Sequence, residues 1–133
     1  MRARSILAAI ALVCIIYSCT KDHNNPGNNK PIRKVHYELF TTEDFSGDQH
    51  DIQFNLFMRD SRRTIFDSAL AIIKVKDIPD SLQRWTFDKV VPGNNQDSLV
   101  VGFTYHLFDV GYSWYLLGFP KGDTLKKVIY SFK

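Results

Sequence analysis

Between Val35 and Phe132 apolar and polar residues alternate in short runs. The clearest run sets Leu99, Val101, Phe103, Tyr105 and Leu107 against Ser98, Val100, Gly102, Thr104 and His106. A period of two predicts a strand with one buried face, because successive side chains of an extended backbone point to opposite sides. Ile52, Phe54, Leu56 and Met58 repeat the pattern against Asp51, Gln53, Asn55 and Arg59. Val128, Tyr130 and Phe132 do so against Lys127, Ser131 and Lys133, and Val35, Tyr37 and Leu39 make a fourth run. Ala71, Ile73 and Val75 face away from Lys74 and Lys76, Trp85 and Phe87 face away from Thr86 and Asp88, and residues 112–119 are more uniformly apolar. Seven strands are predicted, with Trp85 and Phe103 expected in the core.

The separators carry residues that end strands. They are Ser46-Gly47-Asp48, Arg59 to Arg63, Ile78-Pro79-Asp80-Ser81, Pro92-Gly93-Asn94-Asn95, Asp109-Val110-Gly111 and Pro120-Lys121-Gly122-Asp123. No long helical stripe and no internal repeat interrupts them. Only Asp67 to Ile73 has the spacing of a helical turn, and its β-branched continuation argues for a strand. Short strands at this spacing predict an all-β fold, an antiparallel immunoglobulin-like β-sandwich of about seven strands. No cysteine pair flanks Trp85, so the expectation concerns architecture and not membership of the antibody family.

The N-terminal part is built differently. An apolar run from Ile6 to Ile16 follows Arg2 and Arg4 and ends in Ile16-Tyr17-Ser18-Cys19, the anatomy of a secretory signal with a small residue at its cleavage point. The run is about half of the roughly 20 residues a membrane-spanning helix needs. Residues 20–31 contain no apolar side chain able to pack, and treated as a flexible chain they reach about 20 Å. Three segments are therefore expected: a signal at residues 1–18, a tether at 19–33 and a β-sandwich at 34–133.

Ile16, Tyr17, Ser18 and Cys19 resemble the lipobox of bacterial lipoproteins, with Tyr17 bulkier than the usual residue. Taken with the Asn-rich tether, the opening Val35-His36-Tyr37-Glu38-Leu39-Phe40, the Ile78-Pro79-Asp80 turn and the Lys126-Lys127-Val128 ending, the chain resembles small lipoproteins of Bacteroidetes-type bacteria. The resemblance implies that Cys19 is the lipid attachment site, that the membrane is met through that anchor, and that the domain sits on the cell envelope. Thr20 lacks the Asp that favours inner-membrane retention in enteric bacteria, which points to the outer membrane.

Composition narrows the function further. The net charge of +3 falls to +1 once Arg2 and Arg4 leave with the signal, so no basic face for nucleic acid is expected. Cys14 leaves too, and Cys19 would carry lipid, so no disulfide is expected and the chain's abundant aromatics, ten Phe and two Trp with every Tyr but Tyr17, must build the core. No nucleophile elbow and no zinc spacing among His23, His36, His50 and His106 is present, and no cofactor is read from the sequence. The acidic connection from Glu43 to Asp51 is expected to be a solvated turn, with a loop cation site through Asp44, Asp48 and Asp51 as the alternative.

Four aromatics, Phe108, Tyr112, Trp114 and Tyr115, surround Gly111. Strand alternation sends Tyr112 and Trp114 to one face and Tyr115 to the other, so Tyr112 and Trp114 are the candidate ligand-binding residues and Tyr115 their core counterpart. The expected function is a non-enzymatic binding or assembly module for a glycan or envelope protein. A purely structural envelope lipoprotein is the alternative, and a hydrolase or metal-dependent enzyme with dispersed residues ranks below both.

Overall fold

The computed structural model describes residues 31–93 and 95–133. The signal and tether expected over residues 1–30, Cys19 included, lie outside them. Eight strands follow in order: β1 (Lys34–Thr41), β2 (Asp51–Arg59), β3 (Thr64–Ala69), β4 (Ile73–Lys74), β5 (Trp85–Val90), β6 (Leu99–Leu107), β7 (Gly111–Phe119) and β8 (Leu125–Phe132). They form two sheets, a smaller one ordered β5-β1-β8 and a larger one ordered β3-β2-β6-β7 with β4 also paired to β2. The fold is an all-β sandwich of immunoglobulin-like architecture. Every ladder is antiparallel except β1 with β8, which run parallel from Lys34 opposite Leu125 to Thr41 opposite Phe132. Among the described residues no helix is long and apolar enough to cross a membrane.

The alternation in the sequence decides what lies between the sheets. Val35, Tyr37 and Leu39 from β1, Phe54 and Leu56 from β2, Val101 and Phe103 from β6 and Val128 from β8 are all buried. Their rings interlock: Phe54 meets Phe132 at 5.0 Å and Phe103 meets Tyr130 at 5.1 Å in a near-perpendicular contact. Edge-to-face contacts of this kind add to the burial of apolar area. Phe103 is fully buried, whereas Trp85, near the outer edge of β5, is only partly covered and packs edge-on against Phe54 at 5.9 Å.

One hydroxyl ties the layers together. Tyr37 reaches from β1 across the core and its phenol donates to the carbonyl of Phe57 on β2 at 2.9 Å. Burial pushes this phenol far above the ordinary tyrosine range, so it stays a neutral donor.

Two local expectations need correction. Ala71, Ile73 and Val75 do not make one strand: only Ile73 and Lys74 pair with β2, and Val75–Asp77 form a short 3-10 turn. The strand of this region is β3, which begins at Thr64, well before that run. Its alternation is hidden by a bulge, since Met58 faces Phe66 but Arg59 faces Thr64, leaving Ile65 unpaired so that Ile65 and Phe66 both turn toward the core.

Arg33, expected to end the tether, belongs to the sandwich. It is 2% exposed, and its guanidinium donates to the carbonyls of Asp97 at 2.7 Å, Pro120 at 2.8 Å, Asp123 at 2.9 Å and Phe119 at 3.2 Å. It also lies 4.2 Å over the Phe119 ring. Burial lowers its pKa while the charges of Asp123 and Asp97 oppose that shift. A planar fork with five donors can close four carbonyls from two loops, which no other side chain can do.

Candidate functional site

The outward faces of β3, β2, β6 and β7 form a grid that follows from register. One row reads Ala69, Asn55, Thr104, Trp114, and the next reads Asp67, Phe57, Gly102, Leu116. A third row places Gln53 beside His106 and Tyr112. A hollow of about 400 Å³ lies on this face, walled by Trp114 and Leu116 on β7 and by Thr64 and Asp67 on β3, with Asn55, Phe57 and Thr104 between.

Gly102, buried beside the hollow, is required for a steric reason. A Cβ at this position would stand 1.9 Å from the backbone oxygen of Tyr115, closer than any real contact, so β6 and β7 approach as they do only with glycine. The Tyr37 hydroxyl holds the Phe57 backbone directly beneath. The floor of the hollow is thus fixed from inside the core.

Tyr112 and Trp114 are 73% and 67% exposed and share the outward face of β7, while Tyr115 is partly buried against Phe103 at 5.8 Å and Tyr130 at 4.9 Å. The two outward rings have different surroundings. Tyr112 lies flat against His106 at 4.0 Å with an interplanar angle of 8°, and His106 in turn meets Phe108 at 4.3 Å, so these three rings form a pile toward the Gly111 end. Trp114 stacks on no ring among the described residues and stands at the lip of the hollow. Both candidate rings are thus on the outer sheet face, Tyr112 next to the Gly111 turn and Trp114 beside the hollow.

The polar groups of the hollow are unspent. Asn55, Thr64, Asp67 and Thr104 make no side-chain hydrogen bond or ion pair within the described residues, and the Asn55 Oδ1 atom is buried with no partner. Arg59, at one end, leans over the Phe57 ring at 5.5 Å. Such free groups were not legible as a site in the sequence, where Asn55 and Asp67 are ordinary polar strand positions.

A second hollow, about 790 Å³, opens beside the acidic connection between β1 and β2. Its groups are already engaged. Asp44 accepts from the Ser46 backbone N–H at 2.9 Å, Asp48 from the backbone N–H of His50 at 2.9 Å, and Asp51 pairs with Lys74 at 2.7 Å. The backbone bonds hold the Asp44 and Asp48 carboxyls below the usual carboxylate range. His50 contacts Asp48 at 2.7 Å through Nδ1, within the same turn. Among the described residues no three His, Cys, Asp or Glu side chains come together in a way that could hold a metal ion, so Asp44, Asp48 and Asp51 serve separate partners.

No protein-family model matches the chain, and no curated protein or solved structure matches it.

Proposed function

We propose that this chain is a non-enzymatic binding module of the cell envelope, anchored by lipid on Cys19 at the outer membrane, and that it presents the outward face of its larger sheet to a glycan. The observation that carries the reading is Trp114, an exposed ring that stacks on no other ring among the described residues, beside a hollow where Thr64, Asp67 and Thr104 make no side-chain hydrogen bond among those residues. A sugar has apolar C–H faces and a rim of hydroxyls, and binding surfaces for such groups combine a flat aromatic with a few convergent polar atoms. The acidic hollow is larger but offers carboxylates already committed to their own turns.

Two measurements test this. The full chain in detergent is applied to a glycan array, where the wild type should be retained and Trp114→Ala should not, with an unchanged melt. Equal retention of the two, or no retention of either, removes the glycan reading and favours the structural lipoprotein. Separately, Cys19→Ala should abolish metabolic labelling with a fatty acid, and undiminished labelling would remove the anchor.

A further inference from the structure

We infer that two copies of this chain pair through the open edge of β7, joining their larger sheets into one continuous sheet. The inference goes beyond the glycan reading and does not depend on it. An edge strand presents a row of unpaired backbone N–H and C=O groups, and folds that stay single protect such rows with charge, proline, bulges or short length. Three edges of this sandwich carry such protection. β3 has six residues, a bulge and Asp67, β5 carries Asp88 and Lys89, and β8 carries Lys126 and Lys127. β7 has nine residues, an unbroken register with β6, and no charged residue or proline. Apart from Arg33 at the Phe119 carbonyl, no element but β6 hydrogen-bonds to its backbone among the described residues.

The direction of the free groups follows from Gly102. A Cβ at that position would meet the carbonyl oxygen of Tyr115, so that oxygen faces β6. In an antiparallel ladder both backbone groups of a residue point to the same side, and the side alternates along the strand. The N–H and C=O groups of Tyr112, Trp114, Leu116 and Gly118 therefore turn to the open edge. Their complement is another extended strand.

β7 is complementary to itself. A two-fold axis through Tyr115, its midpoint, runs the strand antiparallel to its copy and sets Trp114 opposite Leu116 and Tyr112 opposite Gly118 of the second chain. The four residues with free groups are then the ones that exchange hydrogen bonds, and each large ring faces a smaller residue. No like charges meet in this ladder, because the strand has none. On the core side, Tyr115 and Leu117 pack against the core but are only half-buried, and a neighbouring strand would cover both. The joined sheet carries both hollows on one face, with the two Trp114 rings diagonal neighbours about 7–8 Å apart across the new ladder.

The test follows the full chain in detergent by sedimentation velocity. A nine-residue ladder is a small interface, at the weak end of specific complexes, so the protein mass should double across a micromolar concentration series. Over the same series, hydrogen exchange should slow at the amides of Tyr112, Trp114, Leu116 and Gly118. Leu116→Lys sets two like charges diagonally across the two-fold axis, as does Leu116→Glu, and each alone should weaken the dimer by about tenfold, while the two variants mixed should pair again. A mass of one chain at every concentration overturns the inference. So does a dimer that survives both variants, a mixture that stays single, or protection that misses the β7 amides. The exchange measurement uses the wild type alone, so it decides the matter even where a variant fails to fold. A silent glycan array removes the glycan reading and leaves every one of these outcomes unchanged.

Discussion

The outward faces of the two sheets are built from similar numbers of polar residues and use them in opposite ways. On the smaller sheet the side chains bind one another: His36 contacts Asp88 at 2.8 Å and Glu38 at 3.3 Å, Arg84 pairs with Glu38 at 2.8 Å, and the same guanidinium lies 4.4 Å over Phe40. On the larger sheet Asn55, Asp67 and Thr104 bind nothing within the described residues, beside an aromatic ring that also stacks on nothing. Both faces meet water, so solvation alone does not separate them. A face whose groups satisfy each other has no capacity left for a ligand, and one whose groups stay free can exchange water for ligand hydroxyls.

The sharpest way to break this contrast is Gly102→Ala. The added carbon must push Tyr115 away, which separates β6 from β7 and removes both the hollow and part of the core, at a cost of about 3 kcal/mol or more. Chemical denaturation measures it, and a melt close to wild type would mean that the floor of the hollow is not rigid.

Tyr37→Phe leaves the buried Phe57 carbonyl without its donor and should cost about 1–3 kcal/mol. If the hydroxyl also positions the hollow, glycan affinity falls with it in folded molecules.

The smaller sheet is probed by acid. Arg84 holds Glu38 below the usual carboxylate range, and His36 does the same for Asp88. A carboxyl depressed in the folded state adds stability above its unfolded pKa and loses it as pH falls through the folded value, from about pH 4.5 downward. Glu38→Gln should flatten part of that acid dependence and leave glycan binding untouched. An unchanged acid profile would show that the network on this face is idle.

Trp114→Ala should have the smallest effect on stability, within about 0.5 kcal/mol, because the ring is largely exposed. Its effect on binding should nevertheless be complete.

Local pattern carried much of the fold. β1 obeys strict alternation, with solvent on one side and the aromatic core on the other, while β2 and β6 keep the period except where Phe57 and Gly102 are buried on the outer face as well. β3 was illegible because its bulge breaks the period at Ile65. Arg33 was illegible for a different reason: its partners lie 64 to 90 residues away, and nothing in its neighbourhood announces them. The exposure of Trp114 followed from alternation alone, as did the inward turn of Tyr115. The companions of Trp114 did not, because Asn55 and Asp67 join it only through the register of four strands.

The parallel pairing of β1 with β8 has a mechanical consequence. A pull entering the described chain from its residue-31 end acts along β1, which lies between β5 and β8 and is bonded to both. Both ladders bond β1 along its length, and their hydrogen bonds stand roughly across the strand. The load therefore shears many of these bonds at once and does not peel them open one by one. Arg33 sits at the point of entry, its guanidinium bolted to carbonyls of the β5–β6 connection and of the end of β7 with the turn that follows it. A domain dragged by whatever its larger sheet holds would resist through its central strand, with the clamp at Arg33 yielding first.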